Sequence, residues 1–120
     1  MEGISTINYQ GKALLVIDFA EMGKTKETTK ELINAATNEF MKHPLNSVLG
    51  LMNISNIYFH IDTMHAFKEL QEKTGPYGKK VAVVGVKGLI KTSFNAITAS
   101  DKSIRAFNTE AEAKEWLVSE

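Results

Sequence analysis

Three runs of this chain are apolar on consecutive rather than alternate positions: "ALLVIDF" at 13–19, "SVLGLMNI" at 47–54 and "VAVVGV" at 81–86. A strand with one face in water alternates apolar and polar residues, whereas consecutive apolar residues mark a strand buried on both faces, as in a parallel sheet covered by helices. The intervening stretches have helical spacing. From Glu27 to Lys42, residues Leu32, Ile33, Ala36, Phe40 and Met41 fall on one side, and Pro44 in "HPL" stops the helix. A second stretch, Thr63 to Lys73, buries Met64, Phe67 and Leu70 and ends at "TGPYG". In a third, Lys87 to about Ala99, Leu89, Ile90, Phe94 and Ile97 share one stripe, with Lys87 and Lys91 off it.

Both ends of the chain extend this pattern. "SIRAFN" reads as a fourth parallel strand and "TEAEAKEWLVSE" as a closing helix, where Thr109 and Glu112 have the spacing of a capping box. Near the N-terminus, "ISTINY" and "KALLVIDF" flank Gln10-Gly11, the signature of a hairpin that adds an antiparallel edge strand. The predicted order is β-β-α-β-α-β-α-β-α, an α/β fold with a mixed, mostly parallel sheet, in a single domain over residues 1–120.

Composition removes several classes of function. Fourteen basic and fourteen acidic side chains balance, which argues against a protein that works by neutralising nucleic-acid phosphate. With no cysteine, disulfides, thiol catalysis and cysteine-ligated zinc are excluded. No apolar run approaches the roughly 20 residues that span a bilayer, so the expectation is a cytoplasmic protein, at most peripheral at the membrane, with no transmembrane segment. An exposed sheet edge or helix face offers a route to a homodimer.

"DFAEMGKT" ends in the Gly-Lys-Thr of a phosphate-binding P-loop, but Asp18 stands where the loop needs its first glycine. A carboxylate there repels phosphate, and the segment reads as a strand-to-helix turn. "GVKGLIKTS" is a second place where an anion could sit. Gly85 and Gly88 permit close backbone approach, the following helix offers unpaired N–H groups, and Lys87 and Lys91 add positive charge. The competing reading is a tight turn with solvated lysines. The most polar carboxyl-edge loop is "NISNIYFHIDTMH", which supplies Asn53, Ser55, His60, Asp62 and Thr63 as candidates for contact with a partner. His60, Asp62 and His65 carry metal-ligand chemistry, yet Asp62 is better placed as the N-cap of a helix starting at Thr63, and no metal or other cofactor is assigned. No nucleophile with an adjacent base emerges, so no catalytic residue is assigned either.

From about Tyr9 to Leu117, the succession of elements, with "KKVAVVGVKGLIK", "IRAFNTEAEAKEWL" and "LMNISNIYFHID", resembles the small bacterial SpoIIAA-like proteins. These are relatives of the STAS domain of anti-sigma factor antagonists, and some carry a STAS/SEC14 label. The resemblance implies a STAS-type fold and a non-catalytic regulatory or ligand-binding role. The antagonists hold an Asp-Ser-Ser-Gly box whose second serine is phosphorylated by a partner kinase. Here Ile54-Ser55, Phe59 and Asp62 follow the same order, but Asn53 replaces the strand-end aspartate, Thr63 and Met64 occupy the serine places and His65 the glycine place. The SEC14 label implies a lipid or other apolar ligand. The expected partners are thus a protein or a small anionic or lipid ligand, not nucleic acid. The alternatives are a peripheral membrane protein, using the Leu89–Ile97 helix flanked by Lys87 and Lys91, and a metal-dependent hydrolase on His60, Asp62 and His65.

Overall fold

A computed structural model describes residues 3–20, 22–55, 57, 60–86, 89–99 and 101–119, with the backbone alone described at 89, 90, 93 and 97. The N-terminal hairpin forms as the sequence predicts, from β1 (Ile4–Tyr9) and β2 (Lys12–Asp18). Gln10 and Gly11 turn the chain with φ of 50° and 82°, the pair of left-handed residues whose twist matches that of the strands they join. A 3-10 turn, Met22–Lys24, then leads into α1 (Lys26–Phe40). The remaining elements are β3 (Val48–Asn53), α2 (Ile61–Thr74), β4 (Gly78–Val84), α3 (Leu89–Thr98), β5 (Ile104–Phe107) and α4 (Glu110–Val118). The predicted element order is therefore observed, and the sheet is mixed, with β1 antiparallel to β2 and the other neighbours parallel.

The five strands lie side by side in chain order, β1-β2-β3-β4-β5. A row of paired residues, Leu15, Gly50, Val81 and Ile104, crosses one face of the sheet, and Val16, Leu51, Ala82 and Arg105 cross the other. The two faces carry separate cores. On the first, Leu32, Ile33, Ala36 and Phe40 of α1 and Leu70 of α2 pack with Leu15, Ile17, Met52, Val81 and Val83, with Phe67 and Phe94 at the margin. On the second, Ala113 and Leu117 of α4 cover Leu14, Leu51, Ala82 and Val84. That division explains the apolar runs: each strand must satisfy a helix layer above and below. Gly50 sits under the ring of Phe40, where an added Cβ would come within 3.0 Å of Cζ, so the strand drops a side chain where the helix brings its largest.

Two expectations at the ends of α1 and α4 need correction. Met41 is not on the buried side of α1. It is the C-cap and is 48% exposed, because the helix closes at Phe40 and the chain turns away through Lys42 and His43. At α4 the Thr109 hydroxyl accepts from Glu112 N–H as predicted, but the Glu112 carboxylate accepts from that same hydroxyl at 3.1 Å instead of reaching the Thr109 backbone. The other end of α4 is held by Lys80 of β4, whose ammonium donates to the carbonyls of Trp116 at 2.9 Å and Ser119 at 2.7 Å, a cation at the negative end of a helix.

Candidate functional site

Strand order decides where a site can form. In α/β sheets with a reversal of strand order, a crevice opens beyond the carboxyl ends where helices part to opposite faces. Here β2 to β5 run in one direction without reversal, and α1, α2 and α3 follow one another on the first face.

At the carboxyl edge the loops close on one another. The Asn53 carbonyl accepts from Phe19 N–H at 2.9 Å, its side-chain oxygen accepts from Ser55 N–H at 3.0 Å, and Ile54 N–H donates to the Val84 carbonyl at 3.0 Å. Asn53 thus ties the exits of β2 and β3 together. Gly85 takes φ of 89°, and a Cβ there would lie 2.5 Å from Ser55 N and 2.9 Å from its Cα. The structure brings Ser55 and Gly85 together and accounts for the glycine by packing. Lys91 is exposed on α3, while Lys87 and Gly88 lie outside the described residues. Asp18, the residue that spoils the P-loop pattern, accepts from Ala20 N–H at 2.8 Å and so organises the turn after β2.

The start of α2 differs from expectation. Its N-cap is His60, not Asp62, and the helix begins at Ile61. The imidazole Nδ1 accepts from Asp62 N–H at 3.1 Å, the Thr63 backbone also donates to that side chain, and the Thr63 hydroxyl accepts from His60 N–H at 3.1 Å. A histidine nitrogen takes the place of the usual oxygen, a role that its ordinary absence from capping preferences hides. Asp62 is left free to pair with Lys26 of α1 at 3.3 Å. Hydrogen bonding by Lys26 holds the Asp62 carboxyl below its ordinary range, against a partial desolvation that acts the other way. Thr63 is fully buried and His65 exposed. Among the described residues no group of three or more His, Asp or Glu side chains is arranged to hold a metal ion.

A different site lies between α2, α3 and the first face of the sheet. It is a cavity of about 80 Å³, lined from the sheet by Met52, Val81, Val83 and Ile104 and from the helices by Met64, Phe67, Leu70 and Phe94. Phe40, Ile54 and Ile57 add to its apolar wall, and Gln71, Thr74 and Thr98 are its polar members among the described residues. Among the described residues, none of the candidates read from the sequence lines it. The signal was present in two stripes, one with Met64, Phe67 and Leu70 and the other with Phe94, but helical spacing announces only that a face is buried and not whether its packing is complete. The membrane-facing alternative drew on Leu89, Ile90, Phe94 and Ile97 with Lys87 and Lys91 at the flank; Phe94 lines the cavity and Lys91 is exposed, while Lys87 and the side chains of Leu89, Ile90 and Ile97 lie outside what is described. Among the described residues no helix is long and apolar enough to cross a membrane.

Comparison of the chain with protein-family models, with curated proteins and with solved structures finds no match in any of the three.

Proposed function

We propose that this protein is a non-catalytic binding module, of the kind its resemblance to SpoIIAA-like and STAS-type proteins suggests, and that its ligand is a small apolar molecule held between α2, α3 and the sheet. The observation that carries this reading is the 80 Å³ cavity, whose wall is almost wholly hydrocarbon and thioether. Interiors pack to near crystal density, so the side chains that line this space lack partner atoms on one side. An apolar ligand supplies those contacts and takes the lining out of water. The volume is about half that of the engineered ~150 Å³ cavity that takes benzene, so the fit is to a short alkyl chain or the end of a longer one.

Filling the void from within tests this reading. Thr98→Leu adds hydrocarbon to the lining and removes a hydroxyl that donates to the Phe94 carbonyl of its own helix. The variant is expected to melt higher than wild type and to lose the rise in Tm that short-chain apolar ligands give the wild-type protein. Equal ligand-induced shifts in both proteins would place binding elsewhere.

A further inference from the structure

Among the described residues, the polar members of the cavity lining are not scattered. Gln71 and Thr74 stand one turn apart at the C-terminal end of α2, and Thr98 is the last residue of α3. Each of the two threonine hydroxyls has its donor committed elsewhere. The Thr74 hydroxyl donates to the Leu70 carbonyl at 2.6 Å, and the Thr98 hydroxyl donates to the Phe94 carbonyl at 2.8 Å. A threonine hydroxyl has one proton, so each is left with lone pairs only. The Gln71 amide donates one of its two N–H groups to Asp101 at 2.9 Å, which makes the amide oxygen the end turned away from that carboxylate.

Asp101 fixes this orientation. Burial pushes its carboxyl up, but hydrogen bonds from the Ser103 hydroxyl, the Gln71 amide and the Ser103 N–H outweigh that and hold it below its ordinary range. As an anion it accepts only, so the glutamine cannot flip without setting oxygen against oxygen. Two helix C-termini meet at the same place, and each carries the negative end of its dipole. The two hydroxyl acceptors, the helix ends and the carboxylate outweigh the second Gln71 N–H and give this end of the cavity a mainly negative character.

Resting on the binding reading above, we infer that the cavity selects apolar molecules that end in a hydrogen-bond donor, small alcohols above all, and rejects carboxylates and other anions. A neutral hydroxyl suits the site better than an ammonium, because a charged head would have to be stripped of water in a largely hydrocarbon enclosure. The ligand lies with its alkyl part against Met52, Met64 and Phe67 and its hydroxyl toward Gln71, Thr74 and Thr98. The polarity is opposite to that of a site for fatty acids or phosphates.

Three probes of similar length separate the contributions: 1-butanol, 1-chlorobutane, which lacks the donor, and butyrate, which is an anion. NMR titration of the intact protein is expected to show 1-butanol binding roughly fivefold tighter than 1-chlorobutane, the worth of one ordinary hydrogen bond. Butyrate is expected to bind more weakly than either. In the triple variant Gln71→Met, Thr74→Val, Thr98→Val, the preference for butanol over chlorobutane should vanish while chlorobutane still binds. A wild-type preference for chlorobutane or butyrate would overturn the inference, as would a butanol preference that survives in the triple variant. Should the variant fail to fold, the order of the three probes on wild type remains decisive. Binding of none of the three would instead remove the apolar-ligand reading on which the inference rests.

Discussion

Gly85 and Ser55 meet backbone to backbone at the carboxyl edge of the sheet, so closely that a methyl group on Gly85 would lie 2.5 Å from the Ser55 nitrogen. The contact joins the exit of β4 to the exit of β3. Because Gly85 also has φ of 89°, two independent penalties oppose any side chain there. Gly85→Ala should therefore lower stability by at least ~1–3 kcal/mol, the usual cost of backbone strain. Ser55→Gly removes the hydroxyl that also clashes but should not restore full stability, since Ser55 N and Cα remain at 2.5 and 2.9 Å. Denaturant melts of the two single variants and the double variant check both statements, and a neutral Gly85→Ala would show that the loops do not touch.

Gly50 and Phe40 form the corresponding pair within the first core. Gly50→Ala places a methyl group 3.0 Å from the Phe40 ring, and overpacking of this kind costs roughly 1–3 kcal/mol. In a Phe40→Leu background the same substitution should cost less, because the ring that it strikes is gone. A double-mutant cycle measures the difference, and additive effects would contradict the packing described.

The cap of α2 makes a prediction of its own. His60→Ala leaves the N–H groups of Asp62 and Thr63 without their side-chain acceptor and should cost ~0.5–2 kcal/mol. His60→Asn, which restores an acceptor of the preferred kind, should recover most of that loss. Chemical denaturation of both variants provides the test, and equal destabilisation would show that capping is not what His60 contributes.

Asp101 links the cavity rim to acid stability. Its folded-state pKa lies below that of the unfolded chain, so it contributes stability above the ordinary aspartate range that is lost as pH falls through the folded value. Asp101→Asn should reduce stability at neutral pH and flatten the decline below about pH 4, the ordinary aspartate range. Thermal melts across pH 2–7 would show this as two curves that converge in acid, and parallel curves would contradict it.

Much of this architecture was legible from residues 13–19, 47–54 and 81–86, because a doubly buried strand leaves few other arrangements. Gln10-Gly11 declared its turn just as openly, since few pairs tolerate two left-handed residues. The errors fell where chemistry departs from preference. His60 caps a helix through a ring nitrogen, and Met41 reads as a core residue until the helix ends one position before it. The cavity was hidden for a different reason. Periodicity shows that Met64, Phe67 and Phe94 point inward, but whether facing side chains fill the space between them depends on the separation of α2, α3 and the sheet, which no local pattern encodes. The acceptor character of Thr74 and Thr98 was equally out of reach, because it depends on each hydroxyl bonding one turn back along its own helix.

The most direct measurement of the central claim uses the methionine methyl groups as reporters. Met52 and Met64 line the cavity, whereas Met41 lies outside it and is exposed. Titrating the wild-type protein with 1-butanol while recording methionine methyl NMR spectra should shift the Met52 and Met64 resonances together, saturably, and leave Met41 in place. A saturable shift confined to Met41, or no saturable shift at Met52 and Met64, would contradict the account of this cavity as the binding site.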